Sequence, residues 1–163
     1  MTSDLSKIKN IRSKKKFTIS LAESCTGGMI SKYLTSINGS SLFFNGACIS
    51  YSNQMKIRLL KVSKNTIINY GAVSHQTALA MVKGLKKITD SEILLSVTGV
   101  AGPSGGTLRT PVGCVFFGIG SKINKKYTFK TTKKIFREKT RHAIQKKSTE
   151  YAMYLILKEL KKI

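Results

Sequence analysis

One segment, Phe17 to Ser31 (FTISLAESCTGGMIS), constrains the fold more than any other part of the chain. Its first residues are apolar and alternate in the manner of a strand, and they end in polar residues and a pair of glycines. Apolar residues then recur from Met29 to Ile37 at helical intervals. The segment therefore predicts a strand that turns directly into a helix.

The turn of this segment is the first candidate site. Ser24, Cys25 and Thr26 lie at the end of the predicted strand and beside the start of the helix. Unpaired backbone N–H groups and the positive end of the helix dipole converge at such a place, which suits an anion or a developing oxyanion. The alternative is that Ser24 or Thr26 is only a helix N-cap.

A second strand and helix follow the same plan. The residues Gly46–Asn53 alternate like a strand with Tyr51 near its end, and Asn53 is predicted to cap the next helix. Lys56 falls about one turn inside that helix. The step from Tyr51 to Lys56 crosses a strand end and a helix start, so both side chains are expected to reach one cleft.

A glycine-rich loop follows the most apolar strand of the chain. The run Ile93–Val97 is typical of a strand buried on both faces, and the loop that it opens into ends at Gly106. Glycines let backbone N–H groups approach a ligand closely. The loop matches neither the GxGxxG pattern nor the P-loop pattern, so neither dinucleotide nor nucleoside-triphosphate binding follows. A plain turn uses the same residues.

The last third of the chain predicts a hairpin and a long helix. Pro111–Gly120 and Lys125–Thr132 read as antiparallel strands, and Glu138–Leu160 as a helix with one apolar stripe. Arg137 and Arg141 are four residues apart and are predicted to lie on one helical face. Such a pair is usually solvent-exposed, and a fork aimed at a phosphate is the functional alternative.

These elements predict a three-layer α/β/α sandwich with a mostly parallel sheet and an antiparallel edge hairpin. Residues 1–16 are interpreted as a basic N-terminal lead-in, helical from Asp4 through Ile11, and residues 17–163 as a single domain. No run of about 18 apolar residues or signal peptide occurs, so a cytoplasmic protein without membrane contact is expected. The sequence is compatible with a homo-oligomer.

Charge and cysteine content restrict the partners. Lysine and arginine outnumber aspartate and glutamate by 29 to 7, giving a formal net charge of +22. The lysines are dispersed and no RNP motif or zinc finger accompanies them, which favours a solvated basic surface over specific nucleic-acid binding. The charge favours anionic small molecules in either case. Three cysteines without CxxC spacing indicate neither a disulfide framework nor a metal site, and no cofactor is predicted.

Few residues remain for catalysis. Seven carboxylates, mostly at helix or chain ends, and two histidines away from the strand ends argue against a paired-carboxylate hydrolase and a Ser-His-Asp triad. What remains is Ser24, Tyr51, Lys56 and Thr98. A buried lysine with a lowered pKa is a general base, a serine beside it is an activated nucleophile, and Tyr51 would relay a proton or hold Lys56.

Five sequence blocks carry a family resemblance. They are AESCTGG, GACISYSNQMKIRLLKV, GAVSHQTALAM, SVTGVAGPSGG and PVG. In this order they resemble the CinA C-terminal domain family, over about residues 15 to 160. The resemblance implies a stand-alone amidohydrolase that converts nicotinamide mononucleotide (NMN) to nicotinic acid mononucleotide and ammonia in pyridine nucleotide salvage.

The resemblance also implies roles for individual residues. Ser24 would be the nucleophile, with Tyr51 and Lys56 as its catalytic partners. The implied substrate-binding residues are Cys25, Thr26, Thr98, Gly102, Gly105, Gly106, Arg137 and Arg141. Two alternatives stay open: a nucleotide or nucleic-acid binding module without turnover, and an amidase for another small amide.

Overall fold

The structure is a computed structural model that describes residues 2–163. Six α-helices and five strands follow one another in these residues, with a short 3-10 turn at Ser40–Leu42. The strands are β1 (Ile19–Glu23), β2 (Phe44–Ile49), β3 (Ile93–Gly99), β4 (Cys114–Ile123) and β5 (Lys126–Ile135). The helices are α1 (Thr2–Lys14), α2 (Met29–Leu34), α3 (Asn53–Leu60), α4 (Lys64–Tyr70), α5 (His75–Lys86) and α6 (Arg141–Leu160).

The strands form one sheet in the order β2-β1-β3-β4-β5. The strands β2, β1 and β3 run parallel, while β4 pairs antiparallel with β3 and with β5. Parallel neighbours need a crossover connection, usually a helix, and the glycine-rich loop between β3 and β4 contains none. The antiparallel part therefore begins at β3, one strand pair earlier than the predicted hairpin.

Helices cover both faces of the sheet, so the predicted three-layer α/β/α sandwich is confirmed. Residues of β1 and β3 alternate between two apolar cores. Ile19 and Leu95 belong to the larger core with α1, α2 and α6, and Ala22 and Leu94 belong to the core with α3 and α5. Burial on both faces explains the continuous apolar run that marks β3 in the sequence.

The N-terminal basic segment is helical over a longer range than predicted, from Thr2 to Lys14. Its Leu5 and Ile8 are buried in the larger core, where α1 packs on α6. In the part of the chain that the structure describes, no helix is both long and apolar enough to span a bilayer.

Two boundary predictions near the cleft are wrong. The helix α3 is capped by Ser52, whose hydroxyl accepts from the Met55 amide at 3.1 Å, and not by Asn53. The last helix begins at Arg141 and not at Glu138, because the Thr140 hydroxyl caps it by accepting from the Ala143 amide. Arg137 therefore precedes the helix.

A glycine contact fixes how closely α5 approaches α3. A Cβ built on Gly84 would lie 1.8 Å from the Leu60 carbonyl oxygen, which no side-chain rotation relieves. We expect Gly84→Ala to lower the free energy of unfolding by about 2 kcal/mol or more, because the two helices must separate. Urea denaturation measures the change.

The matched control for this variant is Lys83→Ala, one residue earlier on the exposed side of the same helix. It should change the unfolding free energy by no more than about 0.5 kcal/mol. Equal stability of Gly84→Ala and the wild type would show that the close approach of α3 and α5 is not needed.

Candidate active site

A cleft of about 260 Å³ opens at the carboxyl ends of the three parallel strands. Ser24 follows β1, Tyr51 lies two residues beyond β2, and Thr98 lies at the end of β3. Lys56 reaches the cleft from the first turns of α3. The carboxyl ends of parallel strands are the usual ligand-binding edge of an open α/β sheet, and the sequence prediction placed these residues there.

Ser24 and Lys56 are in direct contact at the bottom of the cleft. The Lys56 Nζ lies 3.0 Å from the Ser24 Oγ, and it also donates to the carbonyl oxygens of Ser50 at 3.0 Å and Tyr51 at 3.2 Å. Lys56 is 2% exposed and Ser24 is 6% exposed. Burial lowers the pKa of Lys56 below its ordinary value.

The three partners of Lys56 permit both of its protonation states. A carbonyl oxygen only accepts, so a neutral amine directs its two N–H groups to Ser50 and Tyr51 and its lone pair to the Ser24 hydroxyl. A protonated amine donates to all three oxygens. A proton is therefore able to pass between Ser24 and Lys56 without rearrangement of heavy atoms, which is the geometry of a nucleophile and its base.

Cys25 lines the same cleft but is not placed as a nucleophile. Burial raises the pKa of its thiol to about 12, so the sulfur is neutral near pH 7. A negative charge on Cys25 would raise the pKa of Lys56, but the neutral thiol carries none. Burial therefore lowers the lysine pKa without opposition from Cys25. The Cys25 carbonyl oxygen accepts from the Gln145 side chain at 2.9 Å, which ties the turn to α6.

The start of α2 is not open to an anion, contrary to the sequence expectation. Glu23, 0% exposed, accepts there from the amides of Gly28, Ile30 and Ser31 with its two carboxyl oxygens. The hydroxyls of Thr26 and Ser31 donate to the same carboxyl group. The side chain therefore occupies the anion site that the helix N-terminus offers.

Two amides of the turn remain for an oxyanion. In residues 2–163, the backbone N–H groups of Cys25 and Thr26 donate to no protein oxygen, whereas the Gly27 amide donates to the Ser24 carbonyl. They belong to the two residues that follow the nucleophile candidate directly in the chain. Backbone N–H groups beside a nucleophile are the usual donors to an oxygen on the carbon that it attacks.

Tyr51 and Arg141 meet across the mouth of the cleft. Arg141 donates to the Tyr51 hydroxyl at 2.8 Å and to the Gly102 carbonyl at 2.9 Å. Tyr51 therefore contacts Lys56 with its carbonyl oxygen, and its side chain, 59% exposed, contacts Arg141. Arg141 and Gln145, four apart on α6, form the pair that reaches the site, in place of the predicted pair with Arg137.

Of the other six predicted binding residues, three line the cleft and three do not. Thr98, Gly102 and Gly105 line the cleft, and the Thr98 hydroxyl donates to the Ala72 carbonyl at 2.8 Å. Gly106 lies outside the lining, where an added Cβ would be 2.9 Å from the Val112 nitrogen. Thr26 is buried against Glu23, and Arg137 is exposed away from the cleft.

The electrostatic character of the cleft is cationic. Among the described residues, Arg141 lines it and no carboxylate side chain does, so the cleft stays cationic when Lys56 is neutral. Nowhere in the described chain do three histidine, cysteine, aspartate or glutamate side chains come together in a metal-binding group.

Comparison with known proteins places the site in a family. The model of the CinA C-terminal domain matches residues 3–160. The chain belongs to the CinA C-terminal domain family. This confirms the resemblance carried by the five sequence blocks, and the AESCTGG block supplies the Ser24 turn of the cleft described above.

CinA-like relatives are similar over most of this chain. A CinA-like protein of Petrotoga mobilis is 47% identical over 145 residues, which are 89% of this chain and 35% of the relative. A CinA-like protein of Endomicrobium trichonymphae is 46% identical over 128 residues, 77% of this chain and 30% of the relative. The chain thus spans about a third of the length of these relatives.

Solved CinA-family structures share the fold. The competence/damage inducible protein CihA from Agrobacterium tumefaciens is 31% identical with a TM-score of 0.88, covering 95% of this chain and 92% of that one. A competence-damaged protein (CinA) superfamily protein from Enterobacter cloacae is 27% identical with a TM-score of 0.85, covering 96% and 90%. The similarity therefore extends over nearly the whole domain.

Proposed function

We propose that this CinA-family protein is an amidohydrolase that converts NMN to nicotinic acid mononucleotide and ammonia. The observation that carries the proposal is the contact between Ser24 Oγ and Lys56 Nζ, at 3.0 Å in a cationic cleft. A buried amine with a lowered pKa is the base that a serine nucleophile needs.

The first half of the reaction forms an acyl-enzyme. Lys56 in its neutral form takes the proton of the Ser24 hydroxyl while Oγ attacks the carboxamide carbon. The amides of Cys25 and Thr26 stabilise the oxygen that becomes negative, a contribution worth about 3 kcal/mol per donor. Lys56 then gives the proton to the nitrogen, the C–N bond breaks, and ammonia leaves.

The second half reverses the proton movements. Water attacks the ester carbon and passes a proton to Lys56, the bond from carbon to the Ser24 oxygen breaks, and that oxygen recovers the proton from Lys56. The carbonyl oxygens of Ser50 and Tyr51 hold the amine in place throughout, because they accept its N–H groups in either protonation state. The products are regenerated Ser24 and a carboxylic acid, which loses its proton to solvent and becomes a carboxylate.

The deciding experiment is ammonia release from NMN by the purified protein, followed with a coupled dehydrogenase assay. We expect turnover by the wild type and none above background by Ser24→Ala. NMN bound without release of ammonia would instead support a nucleotide-binding module. Ammonia released from other small amides at least as fast as from NMN would support an amidase of different specificity.

The rate should depend on pH through Lys56. Only the neutral amine accepts the Ser24 proton, so kcat/KM is expected to rise with pH and to level off above the lysine pKa. Because burial lowers that pKa, the midpoint of the rise should lie below pH 10.5, the ordinary pKa of a lysine. A pH–rate profile at saturating and limiting NMN tests this. A profile that falls across the same range would exclude Lys56 as the base.

A further inference from the structure

A second compartment adjoins the candidate active site. It has a volume of about 370 Å³ and shares the wall residues Ala72, Val73, Val100 and Gly105 with the cleft that holds Ser24. The inner compartment alone, about 260 Å³, is smaller than the range of about 300–1,000 Å³ typical of small-molecule sites. The two compartments together fall inside that range.

The outer compartment carries a cation that the proposed mechanism does not use. Arg109 lines it, and among the described residues no carboxylate side chain does. Within residues 2–163 the Arg109 guanidinium forms no hydrogen bond or ion pair with the protein. Arg141, by comparison, already donates to Gly102 and Tyr51 with its two terminal nitrogens.

The loop that presents Arg109 is closed by its own hydrogen bonds. The Thr107 amide donates to the Thr110 carbonyl at 3.0 Å, and the Thr110 amide donates to the Thr107 hydroxyl at 3.0 Å. The two threonine hydroxyls lie 2.9 Å apart. The neighbouring Leu108 is fully exposed, and Arg109, which is also exposed, lines the compartment together with Tyr70, an aromatic residue that is 54% exposed.

We propose that this outer compartment binds the phosphate of the nucleotide substrate and that Arg109 is its cation. The inference rests on the proposed function, because it takes the carboxamide to lie at Ser24 in the inner compartment. A guanidinium with unused N–H groups forms strong paired hydrogen bonds with phosphate oxygens. Arg109 is then a specificity residue for phosphorylated substrates and takes no part in bond cleavage.

The test compares two substrates that differ only in the phosphate, NMN and nicotinamide riboside. Arg109→Gln should raise KM for NMN by about tenfold or more with kcat unchanged, and should leave both constants for the riboside unchanged. Arg109→Lys keeps the positive charge but cannot form the paired hydrogen bonds of a guanidinium, so it should recover part of the NMN affinity. Arg58→Gln, an equal charge change at an exposed arginine of α3, is the matched control.

Three results would overturn the inference. They are an unchanged KM for NMN in Arg109→Gln, an equal loss with both substrates, and an equal effect of Arg58→Gln. Equilibrium binding of NMN to Ser24→Ala protein, with and without Arg109→Gln, separates this inference from the proposed reaction. Tenfold weaker binding after Arg109→Gln supports the phosphate site even if the wild type releases no ammonia, and equal binding refutes it.

Discussion

Replacement of Lys56 by methionine is expected to lower kcat for ammonia release from NMN by about 10³-fold or more. Methionine fills the same buried space without an amine, so Ser24 loses the only base in contact with its hydroxyl among the described residues. Ser24→Ala should fall to the same residual rate, and the double variant should be no worse than either one. Such non-additivity is the sign of two groups that act in one step.

The control for this experiment is Lys64→Met, the same change at an exposed lysine of α4. It should retain wild-type kcat. Circular dichroism and thermal unfolding of Lys56→Met check that the domain still folds, because the Ser50 and Tyr51 carbonyls lose their donor. A folded Lys56→Met protein that keeps more than a tenth of the wild-type rate would show that Lys56 is not the base for Ser24.

The fold was largely predictable because its signals are local. Period-two alternation, a continuous apolar run and helical spacing each depend on near neighbours in the chain, and they identified β1, β3 and α2. The boundary of α6 was less predictable, since a threonine cap competes with an uninterrupted helical pattern that includes Glu138. The β3–β4 pairing was missed because it follows from the lack of a helix in the connecting loop.

The site was predictable where the motifs lie at strand ends, and it was not where contacts span the chain. Ser24, Tyr51 and Lys56 were placed correctly in one cleft by the direction of the strands. The contact between Gln145 and the Cys25 carbonyl joins residues 120 positions apart, and no sequence spacing predicts it. The position of Arg109 in the second compartment was likewise not predicted, because a single arginine in a loop has no sequence pattern of its own.

The contacts of Glu23 were not predictable from the sequence either. From sequence it was one of seven carboxylates, whereas in the fold its buried side chain holds the turn that presents Ser24. Three amides and two hydroxyls donate to it, from Thr26 to Ser31. Each donor left without a partner inside the protein lowers the free energy of unfolding by about 1–3 kcal/mol. Removal of the carboxyl group would leave these donors without their acceptor and would therefore destabilise the folded state.

Glu23→Ala is therefore expected to lower the free energy of unfolding by about 3 kcal/mol or more, measured by urea denaturation. Glu23→Gln keeps the volume but exchanges one accepting oxygen for an NH₂ group, which faces donors and should also destabilise the domain. Glu150→Gln, at a surface ion pair with Lys147, is the matched control and should change stability by less than about 1 kcal/mol.

A second measurement distinguishes a role of Glu23 in positioning the turn from a role in folding alone. If the carboxyl group positions the turn, the folded fraction of Glu23→Gln should release ammonia with a lowered kcat and an unchanged KM for NMN, because the amides of Cys25 and Thr26 no longer hold their positions. Glu23→Gln with wild-type kcat and reduced stability would confine this residue to folding. An unfolding free energy equal to that of the wild type would contradict both roles, since a carboxyl group with five donors would then contribute nothing measurable.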